Sequence, residues 1–111
     1  MSYDLILRGG RVIDPSQKLD TINDVAFSQG KVARIGPGLK GDADTDVRDV
    51  SGAIVTPGLI DLHTHVYNLA TSLGVNADKI AEQSGVGVFV DAGSAGAGNF
   101  DGFLEYRQIP K

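Results

Sequence analysis

The stretch TPGLIDLHTHVY, residues 56–67, closes an apolar run with two histidines that are separated by one residue. In an extended strand successive side chains point to opposite faces, so Asp61, His63 and His65 would share one face. Two neighbouring imidazoles could hold one divalent metal ion through their ring nitrogens. By itself such a pair is more readily explained as two strand histidines that hydrogen-bond within a core. The surrounding sequence has to decide between the two interpretations.

The composition describes an ordinary globular protein of one domain at most. The chain has 111 residues, of which 41% are hydrophobic and 22% charged. A net charge of −4 argues against a nucleic-acid partner. Cysteine is absent, which excludes disulfides and thiolate metal sites. The first apolar run, Leu5 to Leu7, is too short for a signal peptide or a membrane span. We therefore expect a cytoplasmic protein with no membrane partner.

In the first half of the chain, short apolar segments alternate with turn residues, which is typical of a small β-sheet. Gly9-Gly10 predicts a turn, Gln29-Gly30 a hairpin, and Ser51-Gly52 a further turn between two short strands. The predicted strands cover residues 3–8, 11–13, 24–28, 31–35, 47–49 and 53–56. Four acids between Asp42 and Asp49 could attract Ca²⁺, but their spacing does not match an EF-hand loop, and a solvated turn explains them better.

After Pro57-Gly58 the pattern changes to strand, helix, strand, loop, helix. Such a succession is typical of a parallel α/β fold. The predicted strands cover residues 59–66 and 86–90, and the second of them ends at Asp91. The first predicted helix has Asn76 or Asp78 as N-cap, ends at Ser84 and has Gly85 at C′. The second covers residues 100–107 and is capped by Asn99. Because a third strand would be due where the sequence stops, we expect the front part of a longer, truncated protein.

Three segments resemble the N-terminal third of the amidohydrolase superfamily: YDLILRGGRVIDP, DVAFSQGKVARIG and GAIVTPGLIDLHTHVY. The continuation SGVGVFVDAGSAGAGNF is similar to the amidohydrolase/deacetylase metallohydrolase branch, which is related to dihydroorotase and dihydropyrimidinase. The resemblance implies an α/β fold: residues 1–56 form the N-terminal half of a small β-sandwich, and residues 57–111 form the first two βα units of a (β/α)₈ TIM barrel.

The same resemblance implies a function for the complete enzyme. His63 and His65 would bind a divalent metal, zinc before others, and the full enzyme would hold one or two such ions. Metal-activated water would hydrolyse an amide or ester bond of a small acyl substrate. The remaining ligands of the family come from later strands, so this chain would contain no catalytic residue of its own. As an isolated piece it should bind metal weakly and turn over no acyl substrate.

Asp61, Asp91 and Tyr67 are further candidates for contacts around the metal or the substrate. Asp61 could orient an imidazole or serve a structural role, and Asp91 could act beside the substrate or shape a turn. Tyr67 could line a pocket or simply pack, and it stands where dihydroorotases carry an arginine for the substrate carboxylate, which weakens that assignment. The glycine-rich loop 93–98 lacks the order of a P-loop or a dinucleotide fingerprint.

A different class of function is a non-catalytic fragment that only assembles or binds a partner chain. Two parallel strands without neighbours would expose apolar surface and unpaired edges, which recruit other chains. We therefore expect self-association, or pairing with the missing C-terminal portion.

Overall fold

The computed structural model describes residues 2–106, and the chain divides after Pro57 into two compact units. The first unit is built from strands and the second from alternating strands and helices. In chain order the elements are β1 Leu5–Asp14, a 3₁₀ helix Pro15–Gln17, β2 Leu19–Ser28, β3 Lys31–Gly36, β4 Asp46–Asp49, β5 Ile54–Val55, β6 Leu59–Thr64, α1 Ala77–Ser84, β7 Val86–Asp91 and α2 Phe100–Tyr106.

The first unit is a five-stranded sheet in the order β3-β2-β1-β4, with β5 also paired to β1. The β1–β2 and β2–β3 pairs are antiparallel, whereas β4 and β5 both run parallel to β1. The hairpin predicted at Gln29-Gly30 is confirmed, and both residues have the positive φ that a tight hairpin turn requires. A small core of Tyr3, Ile6, Ala26 and Leu39 is buried within this unit.

The turn predicted at Gly9-Gly10 is wrong, because β1 continues through both glycines as one ten-residue strand. The pairing with β2 shifts register between Leu7 and Gly10, and Gly9 has φ +74°, so the glycines form a bulge. The Asp24 side chain accepts a hydrogen bond from the Gly9 N–H at 2.9 Å. A Cβ at Gly9 would lie 2.7 Å from the Ser51 Oγ, which adds a steric reason for glycine there.

The two short strands around Ser51-Gly52 exist, but the turn between them does not reverse the chain. Both β4 and β5 follow β1 in the same direction, at Leu5 to Arg8 and then at Arg11 to Val12. The intervening residues step around the β1 bulge rather than forming a hairpin. The strand predicted at residues 53–56 shortens to Ile54–Val55.

The second unit pairs β6 with β7 in parallel, with α1 in the connection, as the sequence pattern predicts. Asn76 caps α1 by accepting from the Lys79 N–H, and Gly85 ends the helix in the left-handed region. Asn99 precedes α2, but its side chain accepts from the Gly96 N–H instead of capping the helix. The predicted end of this helix at residue 107 lies outside the described residues.

The β6 strand ends at Thr64, two residues before the predicted end. Its apolar side chains Leu59, Ile60 and Leu62 are exposed in this unit, and Leu62 is 74% accessible. This exposure agrees with the expectation that two parallel strands without neighbours leave apolar surface uncovered. Within residues 2–106, no helix combines the length and apolar character needed to cross a membrane.

Candidate metal-binding half-site

The structure brings His63 and His65 together at the carboxyl end of β6. Their ring centres are 5.7 Å apart and the rings meet edge to face at 75°. A zinc ion bonds an imidazole nitrogen at about 2.0–2.1 Å, which puts it about 3 Å from each ring centre and the two centres about 5 to 6 Å apart. The observed spacing falls in that range, so the two imidazoles fit a shared divalent metal as ligands.

The two histidines differ in how firmly they are held. The His65 ring nitrogen Nδ1 lies 3.0 Å from the Ser94 Oγ, and the His65 carbonyl accepts from the Val75 N–H at 2.8 Å. His65 is half-buried and Ser94 is only 7% exposed. His63 is exposed, and its backbone N–H donates to the Asp61 side chain at 3.1 Å. Asp61 thus orients the backbone of His63.

Asp91 joins the ends of the two strands through its carboxylate. One oxygen accepts from the Val66 N–H at 2.9 Å, just beyond β6. The other accepts from Gly93 N–H at 3.1 Å and Ser94 N–H at 2.6 Å, in the loop after β7. Partial burial raises the pKa of Asp91, but these hydrogen bonds outweigh it and hold that pKa below its usual value. An ionised Asp91 therefore fixes the backbone just after His65, at Val66, and in the loop at Gly93 and Ser94.

Tyr67 packs against α2. Its ring centre lies 5.3 Å from that of Phe103 and 5.2 Å from that of Tyr106, both in tilted arrangements. These distances are typical of favourable aromatic pairs. Tyr67 is therefore a packing residue, and the position two residues after His65 carries no charge.

The glycine-rich loop uses several of its backbone donors internally. The Gly93 and Ser94 N–H groups donate to Asp91, and the Gly96 N–H donates to the Asn99 Oδ1 at 2.8 Å. A phosphate cradle needs such donors to point at the ligand. These donors instead bind side chains of the same loop and of Asp91, which agrees with the lack of a P-loop or dinucleotide motif in its sequence.

The acidic segment of the first unit has local partners. Asp42 accepts from the Asp44 N–H and from Thr45, Asp46 pairs with Arg48, and Asp49 accepts from the Ser51 N–H. Across residues 2–106, no three or more His, Asp or Glu side chains come close enough together to hold a metal ion. His63 and His65 are consequently a candidate half-site, which offers a metal ion two possible ligands.

Sequence reasoning missed Ser94 as a neighbour of His65. The two residues are 29 positions apart and meet only because β6 and β7 are parallel neighbours. The available signal was the position of Ser94 shortly after the carboxyl end of a strand, where side chains from adjacent strands converge.

No protein-family model matches the chain. A deacetylase of Agrobacterium fabrum is 43% identical over 77 residues, which is 69% of this chain and 19% of the deacetylase. A crystal structure of a dihydroorotase superposes with a TM-score of 0.75 and 32% identity, covering 96% of this chain and 28% of that one. An N-acyl-D-glutamate deacylase from Bordetella bronchiseptica, solved with zinc and a phosphonate inhibitor, superposes with a TM-score of 0.61 and 29% identity over 81% of this chain and 19% of its own.

The relatives and solved structures that resemble the chain define its class of protein as the amidohydrolases. The chain belongs to the amidohydrolase superfamily, and its 111 residues fit the N-terminal portion of those enzymes. It spans 19% of the length of the deacetylase and 28% of that of the dihydroorotase structure.

Proposed function

We propose that the chain supplies His63 and His65 to the divalent-metal centre of an enzyme that hydrolyses an amide or ester bond. The observation that carries the proposal is the 5.7 Å spacing of the two rings at the carboxyl end of β6. Active sites of parallel barrels lie at the carboxyl ends of the strands. The parallel partner β7 ends at Asp91, beside the same edge.

We further propose that β6 and β7 are the first two strands of a (β/α)₈ barrel. In that arrangement residues 57–111 form two βα units, and residues 1–56 form part of a small β-sandwich. The parallel pairing of β6 and β7 with a helix between them supports the barrel. The likeness to a dihydroorotase structure over 96% of the chain supports the assignment of both parts.

The chemistry needs one or two divalent ions, and zinc suits a histidine pair best. When bound, such an ion activates water for attack on a carbonyl group. His63 and His65 would hold such an ion through their ring nitrogens. Asp91 fixes the backbone just after His65, at Val66, and Asp61 accepts from the backbone N–H of His63. No residue of this chain is assigned the transfer of a proton in the reaction.

For the substrate we propose a small acyl amide or ester, with removal of the acyl group. The 43% identity to a deacetylase and the likeness to a deacylase support this choice. The likeness to a dihydroorotase makes hydrolysis of a cyclic amide the second candidate. Tyr67 disfavours the second candidate, because it packs on α2 where an arginine would be needed. If the complete enzyme turned over dihydroorotate but not N-acyl compounds, the cyclic amide would become the first candidate substrate.

Metal binding by the 111-residue chain tests the proposal directly. Titration with Zn²⁺ against a chromophoric chelator should show weak binding by one ion, and His63→Ala or His65→Ala should abolish it. Asp44→Asn is the matched control, since it removes a carboxylate from the acidic loop without touching the histidines. Zn²⁺ affinity unchanged in both histidine variants would refute the assignment.

The same preparation tests catalysis by the chain alone. We expect no turnover of N-acyl or O-acyl substrates with Zn²⁺ present, because catalytic zinc sites usually have three protein ligands and this half-site has two. Turnover that is lost in His63→Ala would show that the short chain is itself an enzyme.

The alternative function, a piece that only assembles, rests on the exposed apolar side chains of β6. We propose that the chain associates with a second copy, since Leu59, Ile60 and Leu62 are all exposed. Sedimentation velocity should show concentration-dependent association that Leu62→Lys weakens. A compact monomer at high concentration contradicts this. The cytoplasmic location stays a prediction, which fractionation of expressing cells would check.

A further inference from the structure

The contact between Ser94 and His65 bears on which imidazole nitrogen is available to a metal. The Ser94 Oγ lies 3.0 Å from the Nδ1 of His65, and Ser94 is 7% exposed. A neutral imidazole carries its proton on one nitrogen and a lone pair on the other. The partner of one nitrogen therefore decides the state of the other.

The surroundings of Ser94 indicate the direction of this hydrogen bond. A hydroxyl has one hydrogen to donate and two lone pairs to accept with. The backbone N–H of Ser94 donates to the Asp91 carboxylate at 2.6 Å, which holds Ser94 beside that group. With the Ser94 Oγ at Nδ1, a metal ion would have to bind Nε2, and a neutral imidazole that binds through Nε2 carries its proton on Nδ1. The Oγ then accepts from Nδ1–H, and the lone pair of His65 lies on Nε2.

We propose that Ser94, anchored by Asp91, is a positioning residue that holds His65 as the Nδ1–H tautomer and presents Nε2 to the metal ion. The inference rests on the proposed function, in which His65 is a ligand. Partners that fix a ligating histidine in this way typically change metal affinity about 10- to 100-fold when removed.

A serine beside a histidine could also be a nucleophile with its base. In that arrangement a carboxylate orients the imidazole and the hydroxyl faces the substrate. Here the carboxylate of Asp91 contacts Ser94, and Ser94 is too buried to meet a carbonyl group. Because the carboxylate contacts the serine and not the imidazole, Ser94 is better explained as a residue that positions His65 than as a nucleophile.

The tautomer of His65 can be read without any metal from the ¹⁵N shifts of its two ring nitrogens. The chain has only two histidines, so His63→Ala assigns the spectrum. At about pH 8.5, where imidazoles are neutral, we expect His65 to be Nδ1–H in the unmodified chain. Ser94→Ala should shift the population toward Nε2–H and lower Zn²⁺ affinity about 10- to 100-fold. Ser94→Thr, which keeps the hydroxyl, should retain both properties.

Ser72→Ala serves as control, because Ser72 is an exposed serine of the same unit. A His65 ring that is Nε2–H in the unmodified chain overturns the inference, and this result does not depend on any variant folding. A folded Ser94→Ala chain with an unchanged tautomer also overturns it. If Zn²⁺ affinity is unchanged in both His63→Ala and His65→Ala, the proposed function is overturned instead. Failure of the inference about Ser94 can therefore be distinguished from failure of the proposed function.

Discussion

Replacing Asp91 by alanine should release the end of β6 from the loop that follows β7. The carboxylate accepts from the backbone N–H groups of Val66, Gly93 and Ser94 at 2.9, 3.1 and 2.6 Å. A hydrogen bond to a charged group contributes about 1.5–3 kcal/mol. Asp91 is partly exposed, so water replaces some of what is lost. We therefore expect a total cost of about 2–4 kcal/mol rather than the full sum of three bonds.

Amide hydrogen exchange measures this cost where it arises. A loss of about 2–4 kcal/mol in local opening free energy speeds exchange roughly 30- to 1,000-fold at these three amides. Asp101→Ala, which removes an exposed carboxylate from the first turn of α2, should leave them unchanged. Exchange at Val66, Gly93 and Ser94 within about threefold of the parent chain in Asp91→Ala would refute the reasoning.

The same carboxylate gives the effect a pH dependence of known sign. Partial burial raises the pKa of Asp91, but the hydrogen bonds from Ser94, Val66 and Gly93 lower it further, and the net pKa is depressed. A depressed pKa stabilises the folded state above the unfolded value of about 3.9, and the contribution disappears as pH falls through the folded value. The stability difference between the parent chain and Asp91→Ala should therefore be full near neutral pH and shrink in acid.

Three further predictions concern the rest of the chain. Asp24→Ala should cost about 2–4 kcal/mol in urea unfolding, because its buried carboxylate accepts from the N–H groups of Gly9 and Leu39, and Asp24→Asn should cost less. Gly9→Ala should cost about 1–3 kcal/mol through its positive φ and its approach to Ser51, and adding Ser51→Ala should recover only the steric part. Asn76→Ala should lower stability by about 1 kcal/mol through loss of the α1 cap, measured by circular dichroism during thermal unfolding.

Local chemistry made much of the fold predictable. The hairpin at Gln29-Gly30 and the Asn76 and Gly85 caps of α1 depend on residues close in sequence, and each appears where predicted. The alternation of a strand placed His63 and His65 on one side, and their 5.7 Å spacing agrees.

The Gly9-Gly10 pair shows why local reasoning also fails. Two glycines suit a reversing turn and a bulge equally well, since both need positive φ. What selects the bulge is non-local: the Asp24 carboxylate binds the Gly9 N–H across β1 and β2, and Ser51 packs over it. The Ser94–His65 contact is non-local too. The sequence pattern predicts the parallel pairing of β6 with β7, but it does not say which side chains meet beyond the ends of the two strands.

The two histidines of the candidate half-site are therefore held in place in different ways. His63 is oriented by Asp61, two residues away, and stays exposed, so its ring depends on what it binds to become fixed. His65 is held at its ring by Ser94 and at its carbonyl by Val75. For a metal ion that binds here, His65 would be a preorganised ligand, whereas the His63 ring would still have to be oriented. Because a preorganised ligand loses less entropy on binding, we expect from the proposed function that the residues around His65 contribute to metal affinity.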